Sequence, residues 1–156
     1  KDGILFKYTK PLKSIAIETN VHPGFMTDWQ PPFTILLTQA NGISIIHETV
    51  YENRFGYVNQ LNKMVSDIEL HNNCLGSTPC RFNNTNYKHS AVIKGPTKLS
   101  PSTIGIPDIR AGFSYLVAAI IAKGKTVVNG ASYIDRGYER IDKKLRSLGV
   151  DIERID

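Results

Sequence analysis

The sequence predicts an α/β chain built on a duplicated helix–strand–helix–strand unit. Two observations carry that prediction. The stretches Glu48-Thr49-Val50-Tyr51-Glu52-Asn53-Arg54-Phe55 and Tyr133-Ile134-Asp135-Arg136-Gly137-Tyr138 each follow a strand-like run and precede apolar residues at helical spacing. Each is also preceded by an apolar helical stretch with an Asp near its start, Asp28 before residues 33–40 and Asp108 before residues 113–122. Asp28 and Arg54 stand 26 positions apart, and Asp108 and Arg136 stand 28 apart. Self-similarity at a long period is a fold-level signal. The two units are expected at 14–94 and 95–156, with a polar insertion at 71–89.

Taken in order, residues 1–13 are polar and interrupted by Pro11. Residues 14–18 alternate apolar and polar, as a half-buried strand does. Residues 19–26 hold His22-Pro23-Gly24, a turn-forming combination. Thr27 or Asp28 could cap the helix that follows, and Pro31 and Pro32 fit only its first turn. Residues 43–50 read as a strand, 57–65 as a helix and 67–70 as a short strand. The insertion, with Gly76-Ser77-Thr78-Pro79 and Asn83 to Asn86, is a surface loop. A strand at 90–94 and a turn region at 95–101 lead into the second unit. There a helix opens at Asp108 and stops at Gly124, a strand covers 126–131, a helix starts near Tyr138, and a last strand covers 151–154.

A chain of 156 residues, 41% hydrophobic and 21% charged, can bury the core of one ordinary domain. The net charge of +5 favours anionic partners, yet no Lys/Arg-rich run or aromatic-interleaved basic stripe points to nucleic acid. The longest apolar run, 116–122, is too short to span a bilayer, and no apolar leader opens the sequence. Cytoplasm is therefore the expected compartment. Cys74 and Cys80 form a C-x5-C pair outside the spacing of a zinc site, and are expected to be free thiols. His22, His47, His71 and His89 show no ligand spacing, so no metal is expected. No Gly-rich phosphate loop, serine elbow or paired-Cys knuckle occurs, and no cofactor is expected.

What remains is a cluster of carboxylates and arginines at strand-to-helix junctions. In open α/β sheets ligands collect at the carboxyl ends of strands, where Arg can grip a carboxylate or phosphate with two parallel hydrogen bonds. Glu52 and Arg54 read equally well as a solvated ion pair bracing a turn. Asp28 reads equally as a helix cap. Asp108 and Arg110 could stabilise a helix start, but an Arg gains nothing from the positive end of the helix dipole, so an anion held there explains it better.

Four ordered motifs resemble the C-terminal part of the UDP-N-acetylglucosamine enolpyruvyl transferases. They are Gly24-Phe25-Met26-Thr27-Asp28-Trp29-Gln30, the Glu48–Phe55 octamer, Pro107-Asp108-Ile109-Arg110-Ala111, and Ile134-Asp135-Arg136-Gly137-Tyr138-Glu139-Arg140. The resemblance implies an inside-out α/β barrel of repeated β-α-β-α-β-β units, incomplete here. It implies transfer of the enolpyruvyl group of phosphoenolpyruvate to the 3-hydroxyl of UDP-N-acetylglucosamine. Asp28 would be the carboxylate near that hydroxyl and a general-base candidate. Val50 would touch the UDP-sugar through its backbone. Asp108 and Arg136 would match the cleft Asp and the Arg on the phosphoenolpyruvate side, with Glu52, Arg54 and Arg110 also at the substrates. The family's active-site Cys (Asp in some members) and its Lys-Asn pair belong to the N-terminal half, which this chain would need as a partner. The competing expectations are a non-catalytic nucleotide-sugar-binding fragment and a shikimate-pathway transferase.

Overall fold

The computed structural model describes residues 2–155. Strands β1 (Ala16–Glu18), β2 (Gly42–His47), β3 (Asp67–His71) and β4 (Ser90–Gly95) form one sheet in the order β1-β2-β4-β3. β1 runs parallel to β2, and β4 runs antiparallel to both β2 and β3. Strands β5 (Thr103–Gly105) and β6 (Val127–Asn129) form a second, parallel pair. Helices α1 (Gln30–Leu37), α2 (Val58–Lys63), α3 (Ile109–Ile121), α4 (Ala131–Asp135) and α5 (Ile141–Ser147) complete the mixed α/β chain.

Helices α1, α2 and α3 lie between the sheets. α1 rests on β2 and β4 and packs against α3, α3 rests on β6, and α2 touches β3 on one side and β5 on the other. Ile35, Ile46, Leu61, Met64, Ile93, Ile104 and Tyr115 are buried in this layer. At about 25 cal/mol per Å² of apolar surface removed from water, such residues supply most of the driving force for folding. The two sheets do not close into a barrel within this chain. Gly112 of α3 lets α4 come close, since a Cβ there would lie 3.2 Å from Ile134 Cγ1. Gly124, at φ +129° and against Pro101, turns the chain after α3 as the sequence indicates. Among the described residues no helix is long and apolar enough to cross a membrane.

Several expected boundaries move, each for a visible reason. The strand expected over 43–50 ends at His47. Beyond it the Val50 and Tyr51 N–H groups donate to Glu48 Oε1, at 2.8 and 2.9 Å, so a side chain replaces the next ladder partner. The expected strand at 151–154 does not form. No strand among the described residues pairs with it, and its Ile152 carbonyl accepts from Arg146 Nη2 and Nε at 2.7 and 3.1 Å. The strand expected over 126–131 stops at Asn129, because Gly130 at φ +86° starts α4, a helix the alternation in the sequence did not reveal. α5 begins at Ile141 rather than near Tyr138, after Arg140 takes a left-handed conformation.

Candidate functional site

Site geometry begins at Glu48, the residue that follows β2. Its carboxylate is fully buried and accepts five hydrogen bonds. Thr19 Oγ1 (2.8 Å) and the Val50 and Tyr51 N–H groups reach Oε1, while Thr27 Oγ1 (2.8 Å) and Gln30 Nε2 (2.8 Å) reach Oε2. The end of β1, the turn before α1 and the turn after β2 therefore converge on one side chain. The network extends inward: the Tyr57 hydroxyl donates to Gln30 Oε1 at 3.1 Å, and its burial raises the phenol well above its ordinary range.

This frame places the first predicted pair. Asp28 sits in a 3-10 turn, Thr27–Trp29, and caps no helix. Its Oδ1 instead accepts from Arg54 Nη2 at 3.0 Å, and Arg54 Nε donates to the Thr27 carbonyl at 3.1 Å. The arginine side chain is 5% exposed and the aspartate 70% exposed, so a buried cation presents a carboxylate to solvent. Oδ2 of Asp28 has no partner among the described residues. Neither the helix-cap reading of Asp28 nor a Glu52–Arg54 ion pair holds. Glu52 lies 4.0 Å from Arg81 instead, and Arg81 also donates to the Val50 carbonyl.

The chain after β4 reaches the same region through α3. Arg110 lies over the Tyr51 ring, its guanidinium carbon 5.5 Å from the centroid. This contact brings the start of α3 beside the turn that carries Val50 and Glu52. Asp108 is the N-cap of α3, with Oδ1 accepting from the Arg110 N–H (2.7 Å) and the Ala111 N–H (3.1 Å). Replacing it by Ala is expected to cost about 1 kcal/mol of stability, the usual value of such a cap. An unchanged urea midpoint would show that the cap is redundant. Arg136 follows α4, is exposed, and makes no side-chain hydrogen bond or ion pair among the described residues. It is tied to α3 through its neighbour: a Cβ on Gly137 would meet Ile109 Cδ1 at 3.1 Å. The adjoining Asp135 pairs with Arg154 by two 2.8 Å bonds, and those bonds hold its carboxyl below the usual range.

Asp28, Val50, Glu52, Arg54, Asp108 and Arg110 are therefore carried by two joined junctions, with Arg136 on the segment that flanks α3. Three arginines, Arg81, Arg110 and Arg136, are exposed around them and suit an anionic ligand. Sequence reasoning missed Glu48 and Arg81. Glu48 stood in the quoted octamer, but nothing in its spacing distinguishes a buried carboxylate from a solvated one. The expectation that Cys74 and Cys80 lack histidine partners also needs correction, because Cys74 Sγ lies 3.4 Å from His89 Nε2.

Mixed α/β layers thus carry Asp and Arg side chains at their strand-to-helix junctions. A match to the family EPSP synthase (3-phosphoshikimate 1-carboxyvinyltransferase) spans residues 2–145, and the chain belongs to that family. It is 50% identical over 99% of its length to a UDP-N-acetylglucosamine 1-carboxyvinyltransferase of Protochlamydia amoebophila (strain UWE25). It is 51% identical over 98% of its length to the protein of that name from Chlamydia abortus (strain DSM 27085 / S26/3). The aligned regions cover 34% and 35% of those proteins, so the chain spans about a third of the length of the curated relatives it matches. The crystal structure of the enolpyruvyl transferase NikO from Streptomyces tendae superposes with a TM-score of 0.77 at 26% identity, covering 94% of this chain and 30% of that one.

Proposed function

We propose that this chain supplies part of the active site of a UDP-N-acetylglucosamine 1-carboxyvinyltransferase. The reaction moves the enolpyruvyl group of phosphoenolpyruvate to the 3-hydroxyl of UDP-N-acetylglucosamine and releases phosphate, a step of peptidoglycan synthesis in the cytoplasm. The observation that carries the reading is identity of about 50% along nearly the whole chain to proteins of that name. The Asp28–Arg54 pair supports it chemically. Asp28 accepts the proton of the sugar 3-hydroxyl through its uncommitted Oδ2, while Arg54 fixes the carboxylate through Oδ1. The Val50 backbone and Glu52 contact the nucleotide sugar. Arg110 and Arg136 hold the phosphate and carboxylate of phosphoenolpyruvate, stabilising the charge that builds on the departing phosphate. Asp108 fixes the backbone that carries Arg110.

The rest of the relatives' length would bring the remaining catalytic groups. The test is phosphate release from phosphoenolpyruvate with UDP-N-acetylglucosamine or shikimate 3-phosphate as acceptor. The assay is run on the chain alone and with the remaining segment of a relative added. Activity only in the combined sample and only with the nucleotide sugar is expected. Turnover with shikimate 3-phosphate would move the assignment to the sister reaction, and none with either would leave a binding fragment. In the active combination, Arg136→Ala is expected to lower kcat/KM for phosphoenolpyruvate by about 10²–10³-fold, the usual loss for one charge-stabilising donor. Its melting temperature should not change, because the side chain is exposed and unpartnered. A clear drop in melting temperature accompanying the loss of activity would make Arg136 structural.

A further inference from the structure

We propose that His47, Cys74, Cys80 and His89 form a closed zinc site that pins the 72–89 loop to the end of β2, a site independent of the transferase reading. His47 is the last residue of β2, the cysteines lie in the loop, and His89 precedes β4. One ligand atom from each of the four lies within 4.8 Å of the others. The two sulfurs are 3.4 Å apart, and Cys74 Sγ is 3.4 Å from His89 Nε2. Around a tetrahedral zinc with bonds of about 2.0–2.3 Å, neighbouring ligand atoms stand about 3.4–3.8 Å apart, so contraction by about an ångström closes the site. Two thiolates and two imidazoles in a tetrahedron are a donor set that selects zinc over harder divalent ions.

The second nitrogens of both rings are already engaged, as metal-bound histidines require. His89 Nδ1–H donates to the Tyr87 carbonyl at 2.9 Å, and His47 Nδ1 faces Glu18 Oε2 at 3.4 Å. Each ring therefore presents Nε2 to the cluster. His47 is fully buried and its Nε2 has no partner. A hydrogen-bonded thiol pair would leave that nitrogen unsatisfied at a cost, whereas a metal ion uses it. Glu18 is itself held by the loop: the Ser77 hydroxyl and N–H donate to its Oε1 at 2.6 and 2.7 Å, and the Thr78 N–H to Oε2 at 3.0 Å. The loop can come this close only at a glycine, since a Cβ on Gly76 would collide with His47 Nδ1 and lie 2.6 Å from Glu18 Cδ. On binding, zinc replaces the two thiol protons, which pass to solvent, and two thiolates with two neutral imidazoles leave the site without net charge. The loop so anchored carries Arg81, which contacts the Val50 carbonyl.

The experiment incubates the purified, fully reduced protein with zinc, removes excess metal, and measures retained zinc and thiol alkylation. One equivalent of zinc is expected, with both thiols protected until a chelator is added. Cobalt in place of zinc should give the visible spectrum of a tetrahedral thiolate site. The double variant C74S/C80S should retain none while keeping the wild-type circular dichroism, and Glu18→Ala should weaken zinc binding by about 10–100-fold, the usual effect of removing a ligand-orienting partner. Folded wild-type protein with freely alkylated thiols and no retained zinc would overturn the proposal. So would a Cys74–Cys80 disulfide that persists in reductant, or zinc retention unchanged in the double variant.

Discussion

Glu48→Ala is expected to lower the stability of the chain by about 3–5 kcal/mol, among the larger effects of a single substitution. Five donors point at this carboxylate, which is fully buried. Its removal strands the hydroxyls of Thr19 and Thr27, the Gln30 amide and two backbone N–H groups. Hydrogen bonds to a charged acceptor contribute about 1.5–3 kcal/mol each, though their losses do not add when one group serves them all. The substitution should lower the urea midpoint with no change in slope, the sign of lost stability rather than an altered unfolded state. Glu48→Gln keeps one acceptor oxygen and turns an NH2 group toward the remaining donors, so it should fall between wild type and Ala. A Glu48→Ala unfolding free energy within about 1 kcal/mol of wild type would mean that water takes over the five bonds and that the junction is not organised by this residue.

The same residue marks where the sequence stops being informative. The β2–α2 junction is legible because its apolar period changes from alternation to helical spacing across a run of polar residues. Asp28 and Arg54 are each legible as candidates because a similar separation, 26 against 28 positions, recurs between Asp108 and Arg136. The partnership of Asp28 with Arg54, rather than of Glu52 with Arg54, depends on how the turn before α1 lies against the end of β2. That is decided by Glu48, whose burial arises from packing between distant segments. The C-terminal segment departs from its expected pattern for a similarly non-local reason. Residues 151–154 carry a strand-like pattern but pair with no strand among the described residues, and alternation alone cannot supply a partner. The His47, Cys74, Cys80 and His89 cluster lies beyond reach of spacing arguments, because β2 contributes one ligand from 27 residues away. A C-x5-C pair is uninformative until the sheet places two histidines beside it.

Asp28→Asn is expected to reduce kcat of the active combination by about 10²–10⁴-fold, the range over which a positioned general base contributes. Arg54 is buried, it is fixed by the Thr27 carbonyl, and it engages only Oδ1 of Asp28. An Asn side chain in the same place offers Oδ1 to Arg54 and an NH2 group where Oδ2 had been, so the contact survives and the proton acceptor does not. Because the aspartate side chain is 70% exposed, the substitution should leave the urea midpoint nearly unchanged. Arg54→Ala makes the opposite case. It removes a cation that is 5% exposed, frees the aspartate to rotate, and should lower stability and kcat together. The two variants separate chemistry from positioning: loss of rate without loss of stability in Asp28→Asn, and loss of both in Arg54→Ala. If Asp28→Asn turns over within tenfold of wild type, below the least effect of a general base, the proton goes elsewhere. Asp28 would then serve only to neutralise Arg54.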